Sequence, residues 1–199
     1  MAENPLEDIP DIEDIHLAHA RIRHQARVTP VLNDPELDEY LGCRLHCKCE
    51  NLQRAGAFKF RGASNAVLLL IERGVKGDFA THSSGNHGAA LALAARLAGR
   101  TAHVVMPENS SKLKIEAVRS YGGQVHLCKP THQSRAQGLQ VQVDAGHTAV
   151  HPYDDAAIIA GQGTAAIELE QEVPTLEQII TPLGGGGLVS GTAIATRAW

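Results

Sequence analysis

The chain has 199 residues, of which 43% are hydrophobic and 20% charged, and its formal net charge is -4. This composition is typical of a globular protein, and the length allows one large domain or two small ones. The acidic balance and the lack of a basic stripe argue against nucleic acid as a partner. The longest apolar run, residues 66–71, is too short to cross a membrane.

In the first part of the chain, the predicted elements are a helix over 12–26, a short helix between Asp34-Pro35 and Gly42, a strand over 45–49 and a helix over 59–73. From there strands and helices alternate, with strands over 79–82, 101–106, 124–128, 148–151 and 178–183 and helices over 86–98, 111–121, 131–145, 155–172 and 187–198. This order predicts an α/β fold, in which an open, mostly parallel, twisted sheet carries helices on both faces. Ligands bind such sheets beyond the carboxyl ends of the strands, so we expect the chemistry where strands 79–82 and 178–183 lead into helices.

The cysteines and the N-terminus bear on two further questions, whether the chain has a metal site and where in the cell the protein is located. Cys47 and Cys49 fall on one face of the predicted strand, and we expect both to be small core residues. Because the spacings Cys-x-x-Cys and His-Glu-x-x-His are both missing, we assign no metal ligands. The acidic residues 1–14 lack the basic-then-apolar order of a signal peptide, and we expect a cytoplasmic protein.

Lys59 is the first candidate for chemistry, because it lies between Phe58 and Phe60, two of the three phenylalanines of the chain. A helix that begins here disfavours a nearby ammonium group, and apolar neighbours favour the neutral amine. A neutral amine is what a Schiff base with an aldehyde requires. The alternative is a lysine whose stem packs on the aromatic rings while its ammonium group reaches water.

The four consecutive glycines Gly184, Gly185, Gly186 and Gly187 follow a predicted strand and precede a predicted helix. Bare backbone at a helix N-terminus can direct several N–H groups at one anion, and phosphate is the natural ligand. A flexible turn is the alternative, but a turn rarely needs four glycines. The loop lacks the lysine of a P-loop and the last glycine of the dinucleotide pattern, which weakens a generic nucleotide-binding domain.

A third motif, Ser83-Ser84-Gly85-Asn86-His87-Gly88, also joins a strand to a helix. Ser84 or Asn86 alone could be an N-cap. Together, two hydroxyls, an amide and an imidazole suit a substrate carboxylate and a cofactor oxygen. An amine for an aldehyde, a phosphate loop and a carboxylate site together indicate pyridoxal phosphate and an amino acid.

With these motifs the chain resembles the fold-type II pyridoxal-phosphate enzymes, which share the fold of the tryptophan synthase β chain, and most of all the serine racemases and the serine/threonine and hydroxyaspartate dehydratases. The matching stretches are 48–53, 56–63, 81–88, 159–164 and 182–191. The resemblance implies a racemase of serine-like amino acids that also acts as a dehydratase (ammonia-lyase), starting from removal of the α-proton. The alternatives are a threonine or hydroxyaspartate dehydratase without racemisation and a catalytically incomplete fragment that binds pyridoxal phosphate.

The resemblance also implies a role for each motif. Lys59 would bind the cofactor aldehyde and act as the base on one face, and Ser84 would be the acid/base on the other. Phe58 would pack near the ring, Asn86 would hydrogen-bond its phenolic oxygen, Gly184–Gly187 would hold the phosphate, and Ser83 and His87 would bind the substrate carboxylate. Threonine dehydratases commonly have alanine at the position of Ser84, so this serine favours a racemase; hydroxyaspartate dehydratases share it.

Family members continue beyond the position of Trp199. The further portion supplies the partner of the pyridine nitrogen and, in racemase-like members, the acidic ligands of a divalent cation such as Mg²⁺, so neither can be assigned here. The resemblance implies a partial large domain from residues 1–79 plus 155–199, a small mobile domain from 80–154, and a homodimer. Without further strands, we expect segment 178–183 to be an uncovered sheet edge.

Overall fold

The computed structural model describes residues 9–197, and the chain forms eight α-helices and six strands in that range. The helices are α1 (Ile12–Ile22), α2 (Pro35–Leu41), α3 (Lys59–Glu72), α4 (Asn86–Leu97), α5 (Lys112–Ser120), α6 (His132–Asp144), α7 (Ala156–Glu172) and α8 (Gly187–Thr196). The strands are β1 (Val31–Leu32), β2 (Cys47–Lys48), β3 (Phe79–His82), β4 (Ala102–Pro107), β5 (Gln124–Cys128) and β6 (Thr148–Ala149). None of these helices is long and apolar enough to span a lipid bilayer.

The central sheet has the strand order β5-β4-β3-β6, and every neighbouring pair is parallel. In β4, Val104 and Val105 point to opposite faces because side chains alternate along a strand. A Cβ added to Gly88 of α4 would lie 2.7 Å from Val104 Cγ1, and one added to Gly138 of α6 would lie 2.7 Å from Val105 Cγ1. Helices therefore cover both faces, and the predicted α/β fold is confirmed.

Helices α1, α3, α7 and α8 form a second packed group, in which glycines bring backbones into contact. A Cβ added to Gly161 would lie 2.6 Å from Gly62 Cα, and one added to Gly191 would lie 2.4 Å from Ile159 O. The backbone of α7 thus lies so close to those of α3 and α8 that no side chain fits between them at these glycines. This packing explains the small residues of the matching stretch 159–164.

Helix boundaries follow the capping signals in the sequence. Asp34 accepts N–H groups from the first turn of α2, Pro35 starts that helix, and Gly42 ends it with φ +68°. Helix α1 begins with a capping box at Asp11 and ends at Ile22 rather than at residue 26.

The predicted strand 178–183 is wrong. The segment has no regular secondary structure and pairs with no strand among the described residues, and Ile180 and Leu183 are 88% and 76% exposed. A strand forms when a neighbour accepts its backbone hydrogen bonds, and residues 9–197 provide none at this place.

The prediction that Cys47 and Cys49 are core residues is also wrong. Strand β2 is two residues long and pairs only with β1, as an antiparallel ribbon. Cys47 is exposed and Cys49 half-buried, whereas the intervening Lys48 turns inward. The hydrophobic alternation indicates the wrong face because Lys48 has a buried ionic partner, Glu168.

Candidate functional site

Lys59 is the first residue of α3, and a backbone carbonyl holds its amine. Nζ donates to Pro152 O at 2.7 Å and lies 5.2 Å from the centre of the Phe58 ring. The side chain is half-buried, and this burial lowers the pKa of Lys59. The shift has the direction that the sequence predicts, and the ammonium group is bound to a carbonyl rather than extended into water.

His87 lies close to the same loop, residues 150–153. It is buried, its Nε2 is 3.4 Å from Val150 O, and its Nδ1 has no hydrogen-bond partner among the described residues. Burial and, second, the charge of Lys59 lower the pKa of His87 to about 3. The imidazole is therefore neutral at physiological pH, and the loop brings it together with the Lys59 amine.

Ser83 caps the N-terminus of α4. Its Oγ accepts the N–H groups of Gly85 at 3.1 Å and Gly88 at 3.0 Å. Gly85 occupies the N-cap position, and Ser84 and Asn86 do not cap the helix with their side chains. Both are exposed, so the N-cap alternative for these two residues is wrong and their polar groups remain accessible.

The glycine loop packs on Tyr153, which belongs to the loop that contacts Lys59 and His87. A Cβ added to Gly185 would lie 2.2 Å from the Tyr153 ring, and one added to Gly187 would lie 3.0 Å from Tyr153 O. Gly186 has φ +95°, which favours glycine. Gly184 has neither requirement, since nothing lies within 4 Å of an added Cβ. Packing and backbone conformation thus explain three glycines and leave the fourth facing open space.

Arg61, two residues after Lys59, fixes α3 through buried ion pairs. Its guanidinium binds Glu50 through Nε and Nη2, each at 2.8 Å, and Glu168 through Nη1 and Nη2, each at 2.7 Å. Lys48 Nζ adds a contact of 2.8 Å to Glu168. Burial disfavours the charged guanidinium, but its hydrogen bonds to both carboxylates outweigh burial and raise the pKa of Arg61. This network joins the stretch 48–53 to α3 and α7.

The family model for "Pyridoxal-phosphate dependent enzyme" matches residues 22–198. The chain belongs to this family. It is 46% identical over 187 residues to the beta-hydroxyaspartate dehydratase of Paracoccus denitrificans, covering 94% of this chain and 59% of that protein. Identity to the serine racemase of Dictyostelium discoideum is 43% over 189 residues, covering 94% and 58% of the two chains. The structure of maize serine racemase superposes with a TM-score of 0.92 at 44% identity, covering 95% of this chain and 58% of that one. The chain therefore spans less than two thirds of these relatives.

The described residues fit the cofactor of this pyridoxal-phosphate family. The fit rests on an amine with a lowered pKa, a glycine loop whose following helix α8 has no side-chain cap, and a buried His87 Nδ1 without a partner. An uncapped helix N-terminus leaves backbone N–H groups available for a phosphate. The Lys59 amine thus suits the cofactor aldehyde, and the N-terminus of α8 suits its phosphate.

Sequence reasoning missed two residues of this candidate family site. Tyr153 organises the glycine loop, and Lys114 of α5 lies against the Ser84–Asn86 turn, with its Cδ 2.8 Å from a Cβ added to Gly85. Neither residue belongs to a glycine-rich or charged motif. The Ile159–Thr164 stretch could have directed attention to the loop before it, because a long helix after a short strand begins at the ligand edge of such sheets.

Proposed function

We propose that this chain forms the cofactor-binding part of an enzyme that uses pyridoxal phosphate to racemise serine or a similar β-hydroxy amino acid and to eliminate its hydroxyl group. The observation that carries the proposal is the half-buried Lys59 amine, which has a lowered pKa and lies in the same loop contact as neutral His87. When bound, pyridoxal phosphate supplies an aldehyde for amines and a ring that stabilises negative charge on the substrate α-carbon.

Lys59 is the proposed base for the α-proton. Its burial lowers the pKa of the Lys59 amine, and its position at the N-terminus of α3 also disfavours the charged form. Phe58, which contacts the amine, is proposed to pack near the cofactor ring, and exposed Asn86 to donate to its phenolic oxygen. Elimination of water needs no second base, so Lys59 alone would suffice for the dehydratase reaction.

Ser84 is the proposed acid/base on the opposite face. Racemisation removes a proton from one face and returns one to the other, which requires two groups. Ser84 suits this role because it is exposed and does not cap α4. His87 is proposed to bind the substrate carboxylate through a neutral N–H, and Ser83 to assist by its O–H while its oxygen accepts the two backbone N–H groups.

The phosphate is proposed to bind Gly184–Gly187. Gly184 faces open space, Gly186 has a left-handed backbone, and α8 directs its N-terminus at the loop. Backbone N–H groups and the helix dipole provide the positive potential without a cation.

We also propose that residues 80–154 form the small mobile domain and that 1–79 with 155–199 belong to the large one. The parallel sheet and α4–α6 lie almost wholly in the first range, whereas α1, α3, α7 and α8 lie in the second. Hydrogen exchange at loop 150–154 should slow when serine and pyridoxal phosphate are added together. Unchanged exchange would argue against closure of the small domain.

The cofactor test uses the purified chain with added pyridoxal phosphate and then borohydride. We expect a yellow protein whose colour is bleached, and mass spectrometry should locate the reduced adduct on Lys59. Lys59→Ala should take up no covalent label and should have no racemase or dehydratase turnover. A colourless wild-type chain, or a label on another lysine, would contradict the proposal.

The reaction test compares wild type with Ser84→Ala. We assay D-serine formation and pyruvate release from L-serine, and ammonia release from threonine and from β-hydroxyaspartate, each with and without Mg²⁺. Ser84→Ala should lower racemisation by roughly 100-fold or more, the usual contribution of a positioned acid/base, and elimination far less. Equal loss of both would exclude Ser84 as the second acid/base.

A dehydratase without racemisation is the second candidate, because the chain is about as similar to the Paracoccus dehydratase, at 46% identity, as to the Dictyostelium racemase, at 43%. It predicts ammonia release from β-hydroxyaspartate and no D-serine in wild type. Turnover of neither kind, with pyridoxal phosphate bound, would leave a cofactor-binding fragment. A homodimer and a cytoplasmic location stay predictions, which light scattering and cell fractionation test.

A further inference from the structure

Three histidines and one aspartate gather at the edge of the sheet opposite to the proposed catalytic site. Asp78 precedes β3, His103 is near the start of β4, and His147 precedes β6. The fourth member, His126 of β5, contacts His103. The amino ends of parallel strands meet at one edge, whereas α4 begins beyond the carboxyl end of β3. The proposed chemistry at the other edge does not use this cluster.

Asp78 and His103 each have one polar side-chain atom in a hydrogen bond and one that is available to a metal ion. Asp78 Oδ1 accepts the Thr101 N–H at 2.9 Å, and His103 Nδ1 is 3.1 Å from His126 Nε2. The remaining atoms, Asp78 Oδ2 and His103 Nε2, are 3.7 Å apart. This distance is too long for a good hydrogen bond.

The separation suits two ligands of one metal ion instead. Bonds of about 2.1 Å in tetrahedral geometry place neighbouring ligand atoms about 3.4 Å apart. His147 supplies the third ligand, since one atom from each of Asp78, His103 and His147 lies within 4.8 Å of the others. The ring of His147 stacks on that of His103 with centroids 3.8 Å apart, so the His147 ring must rotate out of this stack for its nitrogen to point at the ion.

We propose that Asp78, His103 and His147 bind a divalent transition metal, with zinc as the best match, and that His126 orients His103. Two imidazoles and a carboxylate select zinc or its neighbours over magnesium and calcium, which prefer oxygen ligands. A metal-binding histidine usually has its other ring nitrogen fixed by a hydrogen bond, which is the part His126 plays. The ion would join the starts of β3, β4 and β6, and water would complete its coordination.

The test is a zinc titration of the purified chain by calorimetry, with a chromophoric chelator as competitor. We expect one tight site per chain. His147→Ala and Asp78→Asn should weaken it by more than the roughly 10–100-fold that loss of an outer partner costs, and His126→Gln should fall within that range. His16→Ala removes an exposed histidine of α1 and should bind zinc as wild type does.

Two controls separate a loss of zinc binding from a loss of folding. The Asp78→Asn variant retains a carbonyl oxygen that can accept the hydrogen bond from Thr101, and circular dichroism checks each variant before titration. X-ray absorption of the zinc-loaded wild type should show a first shell of two imidazole nitrogens with oxygen. No zinc binding, a shell of oxygens alone, or wild-type affinity in both ligand variants would overturn the site. Loss of zinc in His82→Ala, which breaks the separate His82–His151 pair, would place the metal elsewhere and would overturn it too.

Discussion

Lys59 and Arg61 are two cations in the first turn of α3, and their surroundings are opposite. Arg61 is fully buried and binds two carboxylates with paired hydrogen bonds. Lys59 is half-buried and faces a carbonyl oxygen, and no opposite charge among residues 9–197 supports its ammonium group. The same short segment therefore stabilises one positive charge and destabilises the other.

The difference matches the chemistry of the two side chains. Arginine remains charged at any physiological pH and forms a planar fork for carboxylates, which suits an anchor. Lysine can lose its proton when burial disfavours the charge, which suits a base or a nucleophile. An anchored Arg61 holds the start of α3 in place, and this fixes the position from which Lys59 reaches Pro152.

The largest expected effect on stability is that of Arg61→Met. Removing the guanidinium leaves Glu50 and Glu168 buried with fewer partners, and the loss of one member of a buried ion pair costs about 3–5 kcal/mol. Urea unfolding followed by circular dichroism measures it. Arg119→Met, which breaks the exposed Arg119–Glu116 pair, should cost no more than about 1 kcal/mol. Similar urea midpoints for the two variants would show that Arg61 does not anchor α3.

The comparison also shows how far sequence alone could go. Glycines, prolines and caps act locally, so α2 and the strand-helix order from β3 to α7 could be predicted from Asp34, Gly42 and the glycine turns. The motif around Lys59 could be found from its unusual neighbours. Its partner Pro152 is 93 residues away, and no local pattern reveals it.

The wrong predictions have the same origin. Lys48 points inward because Glu168 lies in α7, and this distant partner reverses the face of β2. The segment 178–183 has the composition of a strand, but pairing depends on a neighbouring strand that residues 9–197 do not provide. In both regions, the presence or absence of a partner distant in sequence outweighed the local propensity.

The second expected effect is a pH dependence of stability that arises from His87. Burial lowers the pKa of His87, and the charge of Lys59 lowers it further. The folded pKa is about 3, below the usual value of about 6.5, so the unfolded chain binds the extra proton. Stability is full above about pH 6.5 and falls as the pH falls towards 3, by about 2 kcal/mol between pH 7 and 5.

The measurement is the difference in unfolding free energy between wild type and His87→Gln at each pH. Subtraction is needed because other histidines with lowered pKa values, such as His19 and His82, change stability in the same direction. The lowered pKa of Glu168 acts at lower pH, through the carboxyl range. Parallel curves for both proteins between pH 7 and 5 would show that His87 is not buried in its neutral form.

The smallest expected effect distinguishes the two cations most directly. Lys59→Met should leave the unfolding free energy unchanged or raise it by up to about 1 kcal/mol, because it removes a charge that burial and the helix dipole disfavour. Lys59→Arg, whose charge is permanent, should be less stable than Lys59→Met. The wild type should gain stability relative to Lys59→Met as the pH rises towards 10, since its folded pKa is lowered and the unfolded chain holds the proton longer. If Lys59→Met instead loses as much stability as Arg61→Met, Lys59 is a second anchor of α3, and its amine is then too firmly held to serve as the base.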